Sequence, residues 1–566
     1  MAGFDLVIRG GTVADGTGEP LRTADVGVRD GVVAAVGSVD GKGRREIDAD
    51  GALVTPGFVD IHSHYDGQAT WDNQLTPSSW HGVTTVVMGN CGVGFAPVRP
   101  TDHARLVDLM EGVEDIPGAA LHEGLTWDWE SFPDYLDAVE RVPHDIDVAA
   151  QLPHGALRLY VMGERGAQRD AATPEEIAEM GRLAREAVEA GALGFTTSRT
   201  LNHRTKSGDF TPTLTAEGAE LVGIARAIGA SGKGVLQLIS DFADLDVEFA
   251  RVRAMSEESG RPLSVSLTQV DMRPDWWREL LDRVEQAAAD GLAVRAQVAP
   301  RPIGALFGLQ ASLNPFLLTE AYRSIAGKAL ADRVAAMREP SLRARILDEA
   351  RCDHAKGWGW LTRWDKMFVL GDPPDYEPLP ETSVEGRAQR LGVAADELAY
   401  DLLLEDDGRS LLYFPLFNYT DFNLDVARQM LLHDRTLVGL ADGGAHVGTI
   451  CDASFPTTML THWGRDRSRG ERLDLSWIVK SMTSDTAGAV GLADRGVLAP
   501  GCKADVNVID FERLTLHHPE MLFDLPAGGK RLVQRADGYL ATVVSGEVVY
   551  EDGRHTGALP GRLVRG

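Results

Sequence analysis

The stretch LVTPGFVDIHSHYDG, residues 53–67, decides how this chain is read. An apolar β-type run leads into His62 and His64, two residues apart. Side chains at i and i+2 of a strand project the same way. Two imidazoles therefore leave one strand end together, which is how a protein presents paired nitrogen ligands to a divalent metal. A bare HxH also occurs in polar surface loops, but the apolar strand in front, with Asp60 and Asp66 close by, favours the ligand reading.

Apolar runs of the same kind recur along the chain. With 53–61 as the first, the others lie at 83–89, 146–152, 192–197, 234–239, 263–268, 292–298 and 437–442. Helical patterns such as PEEIAEMGRLAREAVEAG (174–191) and WWRELLDRVEQAAADG (276–291) separate several of them. Strands alternating with helices predict a parallel sheet, and eight units predict an α/β fold of the (β/α)8 TIM-like barrel type. A doubly wound α/β sheet is the alternative, because LLYFPLF at 411–417 is a further strand candidate.

Both chain ends differ from this body. Residues 5–11, 25–31 and 32–38 (DLVIRGG, DVGVRDG, VVAAVGS) are short β-rich runs broken by turn signals, and GCKADVNVID and ATVVSGEVVYEDG repeat the pattern near the C-terminus. Neither end has enough strand for a stable sheet alone. They are expected to pair into one small β-sandwich domain. The predicted division is 1–57 and 495–566 for that domain and 58–494 for the barrel. Inserts are expected near 90–145, with GLTWDWESFPDYL, and 299–435, with GWGWLTRWDKMF. Long inserts on a barrel serve as lids, substrate walls or oligomer contacts.

At 566 residues the chain exceeds one ordinary core. A net charge of −28 argues against a nucleic-acid partner, since phosphate binding needs clustered Lys and Arg. Cys91, Cys352, Cys451 and Cys502 form no CxxC pair, which favours a reducing compartment. The N-terminus does not read as a signal peptide, and no run of about 18 apolar residues predicts a membrane span. A cytoplasmic enzyme of small molecules is expected, with a homodimer as the default assembly.

In a barrel the active site lies at the C-terminal strand ends. The first strand ends at His62 and His64, the second (GVTTVVMGNCG) at Cys91, and the eighth (TLVGLADGGAH) at Asp442, with His446 just beyond. Imidazole, thiolate and carboxylate all ligate zinc. A carboxylate at such a site can also take a proton from the attacking water and pass it to the leaving group, so Asp442 is the catalytic candidate as well as a ligand.

These residues carry a family likeness. The motifs GGTVADGTGEP (10–20), TPGFVDIHSHYDGQATWD (55–72), GVTTVVMGNCGVGFAPV (82–98), GALGFTTSRT (191–200), GLADGGAH (439–446) and GCKADVNVID (501–510) occur in order. Together they resemble the D-aminoacylase (N-acyl-D-amino-acid deacylase) branch of the amidohydrolase superfamily. The resemblance runs over most of the chain and is weakest at about 300–410. It implies a metal-bearing barrel with a β-domain from both ends. It also implies hydrolysis of N-acyl D-amino acids to a carboxylate and the free amino acid, with His62, His64, Cys91 and Asp442 at the family's ligand positions.

The chain departs from the family at the fifth and sixth strands, KGVLQLISDF (233–242) and PLSVSLTQVD (262–271). The family's metal-binding histidines are absent there, and Gln237 and Gln269 are the nearest polar residues. One Zn2+ rather than a dinuclear centre is therefore expected. The loop RTLNHRTKSGDFTP (199–212) offers Arg199, His203 and Arg204 as substrate-binding candidates, because Arg suits a planar carboxylate. Arg301, past the seventh strand, and His446 complete the candidate set. Two other functions stay open on the sequence. One is a divergent reaction on a cyclic amide, ester or C–C bond, and the other a barrel kept for binding without catalysis.

Overall fold

The computed structural model describes residues 3–352 and 359–566. Residues 357 and 358, which begin the GWGWLTRWDKMF segment, lie outside the described residues.

Eight parallel strands form one curled sheet in chain order: Phe58–Asp60, Val83–Met88, Asp147–Pro153, Gly194–Arg199, Val235–Ser240, Leu263–Leu267, Val294–Val298 and Thr436–Val438. They are called the first to eighth barrel strands below. Parallel pairing runs from the first through to the eighth. The ring closes just past the ends of the first and eighth strands. There Ser63 bridges Gly443, His64 N donates to Gly443 O at 2.7 Å, and Asp442 N donates to His62 O at 3.0 Å. The (β/α)8 reading stands over the doubly wound alternative.

The expected first strand, 53–61, is in fact two. Leu53–Pro56 pairs antiparallel with Val506–Ile509, whereas Phe58–Asp60 opens the barrel. The break is Pro56-Gly57. A Cβ at Gly57 would lie 2.1 Å from Thr84 Oγ1, so only glycine allows the chain to pass. The run at 5–11 extends to form one strand, Phe4–Val13, with an irregularity between Ile8 and Gly11. Strands from both ends join in a single nine-stranded ladder. Its core draws Leu6, Ile8, Val26 and Val54 from the front of the chain and Val506, Val508 and Val543 from the back.

The two inserts differ in kind. Helices His103–Glu114, Gly118–Gly124 and Phe132–Glu140 bury Leu106, Met110, Leu121 and Tyr135 in the barrel's own core. The second insert has a separate core around Phe307, Phe316, Tyr322, Met367 and Tyr400. LLYFPLF is a strand, Leu411–Pro415. It belongs to a small antiparallel sheet with Gly304–Gly308 and Phe368–Val369, outside the barrel. Among the described residues no helix is long and apolar enough to cross a membrane.

Candidate metal centre

His62, His64 and Cys91 meet at the C-terminal strand ends, all buried, with one ligand atom of each within 4.8 Å of the others. Cys91 Sγ lies 3.4 Å from His62 Nε2. Asp442 joins from the eighth strand's exit, its Oδ1 3.3 Å from His62 Nε2 and 3.5 Å from His64 Nε2. Four residues from three strand ends thus face one point.

The backbone is held in uncommon conformations to do this. Cys91, Asp442 and His446 have φ of 53°, 49° and 50°, in the left-handed region that non-glycine residues rarely adopt. Each costs about 1–3 kcal/mol unless its surroundings enforce it. Here Cys91 N donates to Gln237 Oε1 at 3.3 Å, Asp442 N to His62 O, and His446 N to Glu114 O. Gln237, at a position where the sequence lacks the family's histidine, therefore orders the cysteine turn. Gln269 does not join the centre. Its amide is taken up by Asp421 Oδ2 at 3.2 Å and Thr420 N at 3.3 Å.

Two residues at the centre escaped the sequence reading. Gln297, on the seventh strand, receives the His62 Nδ1 proton at 2.7 Å and donates through Nε2 to Ser264 Oγ at 2.9 Å. That bond fixes the His62 tautomer and turns its Nε2 lone pair toward Cys91 and Asp442. Glu114, at the end of the first insert's helix, is 1% exposed and lies 3.3 Å from His64 Nδ1 and 3.6 Å from His446 Nε2. The next residue anchors that helix end, since Asp115 accepts from Ser312 Oγ at 3.0 Å and Thr449 Oγ1 at 2.6 Å. The signal for Glu114 was present: with Val107 and Met110 it falls on the helix's buried stripe.

Burial pushes His62 down to about 4, against the pull of Asp442, so its imidazole is neutral and able to ligate. Burial also acts against charge on His64, but Glu114, Asp442 and Cys91 outweigh it and lift its pKa well above the ordinary value. Desolvation would raise Asp442, but the attraction of His64, His62 and His446 overcomes it and holds the carboxyl below the usual carboxylate range. Burial pushes the Cys91 thiol up to about 12. Both His64 ring nitrogens and both Glu114 oxygens are buried without a hydrogen-bond partner. Buried polar atoms left so are costly. Two imidazoles, a thiol and a carboxylate converging beside them are the donor set of a zinc-type ion.

The substrate-binding candidates divide. His203 hydrogen-bonds Ser198 Oγ at 2.9 Å, and its pKa is lowered by desolvation, with His446 and His64 adding to it. Arg204 is exposed and stacks 3.9 Å over the Phe210 ring. Arg199 and Arg301, also named as carboxylate candidates, are each ion-paired within the chain. Arg199 binds Glu248 through Nε at 2.8 Å and Nη2 at 3.1 Å. Arg301 is 1% exposed, pairs with Asp452 at 2.9 Å, donates to Cys451 O at 2.7 Å and lies 3.7 Å over the Tyr376 ring. His446 faces Glu114 and is a quarter exposed.

Residues 45–550 match the sequence profile of the amidohydrolase family. D-aminoacylase of Alcaligenes xylosoxydans xylosoxydans is 29% identical over 579 aligned residues, covering 99% of this chain and 97% of its own length. N-acyl-D-glutamate deacylase of the same organism is 30% identical, covering 90% of this chain and 87% of its own. The crystal structure of N-acyl-D-glutamate deacylase from Bordetella bronchiseptica, complexed with zinc and a phosphonate mimic of the tetrahedral intermediate, is similar throughout. Its TM-score is 0.64 at 26% identity, covering 100% of both chains.

Proposed function

The chain belongs to the amidohydrolase family, in its D-aminoacylase branch, and from that premise we propose that it hydrolyses the amide bond of N-acyl D-amino acids, using one zinc ion. The observation that carries this reading is the buried meeting of His62, His64, Cys91 and Asp442 at three barrel-strand ends. These four residues would hold the ion. When bound there, it supplies polarisation of the acyl carbonyl and a lowered pKa for water.

The chain's own residues do the rest. Asp442, ionised at neutral pH, takes the proton of the attacking water on its carboxylate and delivers it to the departing amine. Gln297 keeps the His62 ring in one tautomer, and Glu114 orients His64 from the opposite side to Asp442. Arg204, with His203 beside it on the same loop, is the remaining candidate for the substrate carboxylate, because Arg199 and Arg301 are already paired. The same reading divides the chain at about residues 57 and 494 and places a homodimer in the cytoplasm.

The test is metal content of protein purified without chelators, beside activity on matched N-acyl D- and L-amino acids. About one zinc per chain is expected, lost in His64→Ala and in Cys91→Ala, with free amine released from the D series. A metal-free parent, or activity indifferent to chelators, would overturn the mechanism.

A further inference from the structure

The barrel interior is mixed. Val59, Ile61, Val87, Ala149 and Leu437 of the first three strands and the eighth form one apolar cluster. The sixth and seventh strands turn Ser264, Ser266, Arg295 and Gln297 inward, with Gln237 of the fifth beside them. Barrel interiors are ordinarily filled by branched apolar side chains. Nothing in the proposed hydrolysis calls for polar groups at the lower of these positions.

A cavity of about 390 Å³ lies beside the sixth and seventh strands, at the N-terminal ends of the strands and so on the face opposite the metal centre. Arg295, Ser264 and Gln297 line it, with Leu437 and Val490. The Arg295 side chain is part-buried and has no ion pair or hydrogen bond among the described residues. The acid on the cavity wall, Asp485, is held instead by Lys480 at 2.5 Å. An unpaired guanidinium on a cavity wall offers a planar fork that matches a carboxylate.

We propose that the lower barrel lumen is a second binding site, for a small carboxylate with a short apolar tail. The carboxylate pairs with Arg295, and the tail lies against Leu437 and Val490. Ser264, on the same wall, hydrogen-bonds Gln297, which hydrogen-bonds His62, so the site shares a bonded chain with the catalytic centre. The proposal stands apart from the reaction assigned above.

Butyrate is the probe, titrated calorimetrically into the full zinc-loaded chain. Saturable binding is expected, weakened at least about tenfold in Arg295→Met, the scale of one charge-assisted pair, and retained in His64→Ala. Val490→Phe, which fills the cavity from its apolar side, gives the same loss without touching the charge. Absence of saturable binding, binding that survives both Arg295→Met and Val490→Phe, or binding abolished by His64→Ala would overturn the proposal. The last result would place butyrate on the catalytic cluster instead.

Discussion

Replacing Gln297 by leucine tests how far the metal centre is ordered from behind. The side chain is 3% exposed, and its Oε1 accepts the hydrogen bond that His62 Nδ1 donates. Leucine has similar volume, so packing changes little, but the His62 N–H is left buried and unpaired. A neutral hydrogen bond contributes about 1 kcal/mol net, and a stranded buried donor raises the loss to about 1–3 kcal/mol. At about 1.4 kcal/mol per decade, zinc binding should weaken roughly five- to one-hundredfold. Gln297→Glu keeps an acceptor and adds charge to it, and should bind zinc at least as tightly as the parent. Both constants can be read by competition with a chromophoric chelator at fixed pH, with circular dichroism to establish that each variant is folded. A leucine variant whose zinc Kd lies within about twofold of the parent would refute the reasoning, because the bond would then contribute nothing to the ligand's orientation.

Two further outcomes follow from buried carboxylates. Glu114→Gln keeps the shape but removes the charge facing His64 and His446, and should lower zinc affinity or kcat by about ten- to one-hundredfold; unaltered zinc titration and turnover would remove Glu114 from the centre. Glu377 is desolvated, which alone would raise its pKa, yet the nearby His462 and hydrogen bonds from Arg467 and the Leu424 amide depress it to about 2. Its contribution to stability is therefore complete above pH about 4.5 and is lost as pH falls toward 2; acid unfolding midpoints should shift less steeply with pH across that window in Glu377→Gln, and identical slopes would contradict the assignment.

The strand-end residues were legible because their signal is local. An apolar run, then His62-x-His64, or then Cys91, or then Asp442, states both the strand and what its end presents. Glu114 and Gln297 act across long sequence distances, and no local spacing brings a helix end in an insert to His64 or the seventh strand to His62. Part of that was still written in the chain. LSVSL and VRAQV alternate polar with apolar residues, whereas barrel strands covered on both faces read as nearly continuous apolar runs. Two successive alternating strands announce polar inward positions. Arg199 and Arg301 show the limit of reading by residue type. Residue type marks them as carboxylate binders, but the carboxylates they bind, Glu248 and Asp452, are the chain's own. Pro56-Gly57 was passed over because one apolar stretch on either side disguised a change of sheet.

The closure between the first and eighth strands carries a consequence for how the molecule ages and fails. Among the described residues no ladder joins those two edges, and the ring is fastened there by the Ser63–Gly443 bridge and the backbone bonds of His62, His64 and Asp442. The same residues would grip the ion. An ion shared by His62 and Asp442 is then a clasp across the barrel's one unlaced edge, and each departure of the ion loosens the ring at the point where catalysis needs it most rigid. Shelf life, resistance to proteases and catalytic competence become readings of a single occupancy.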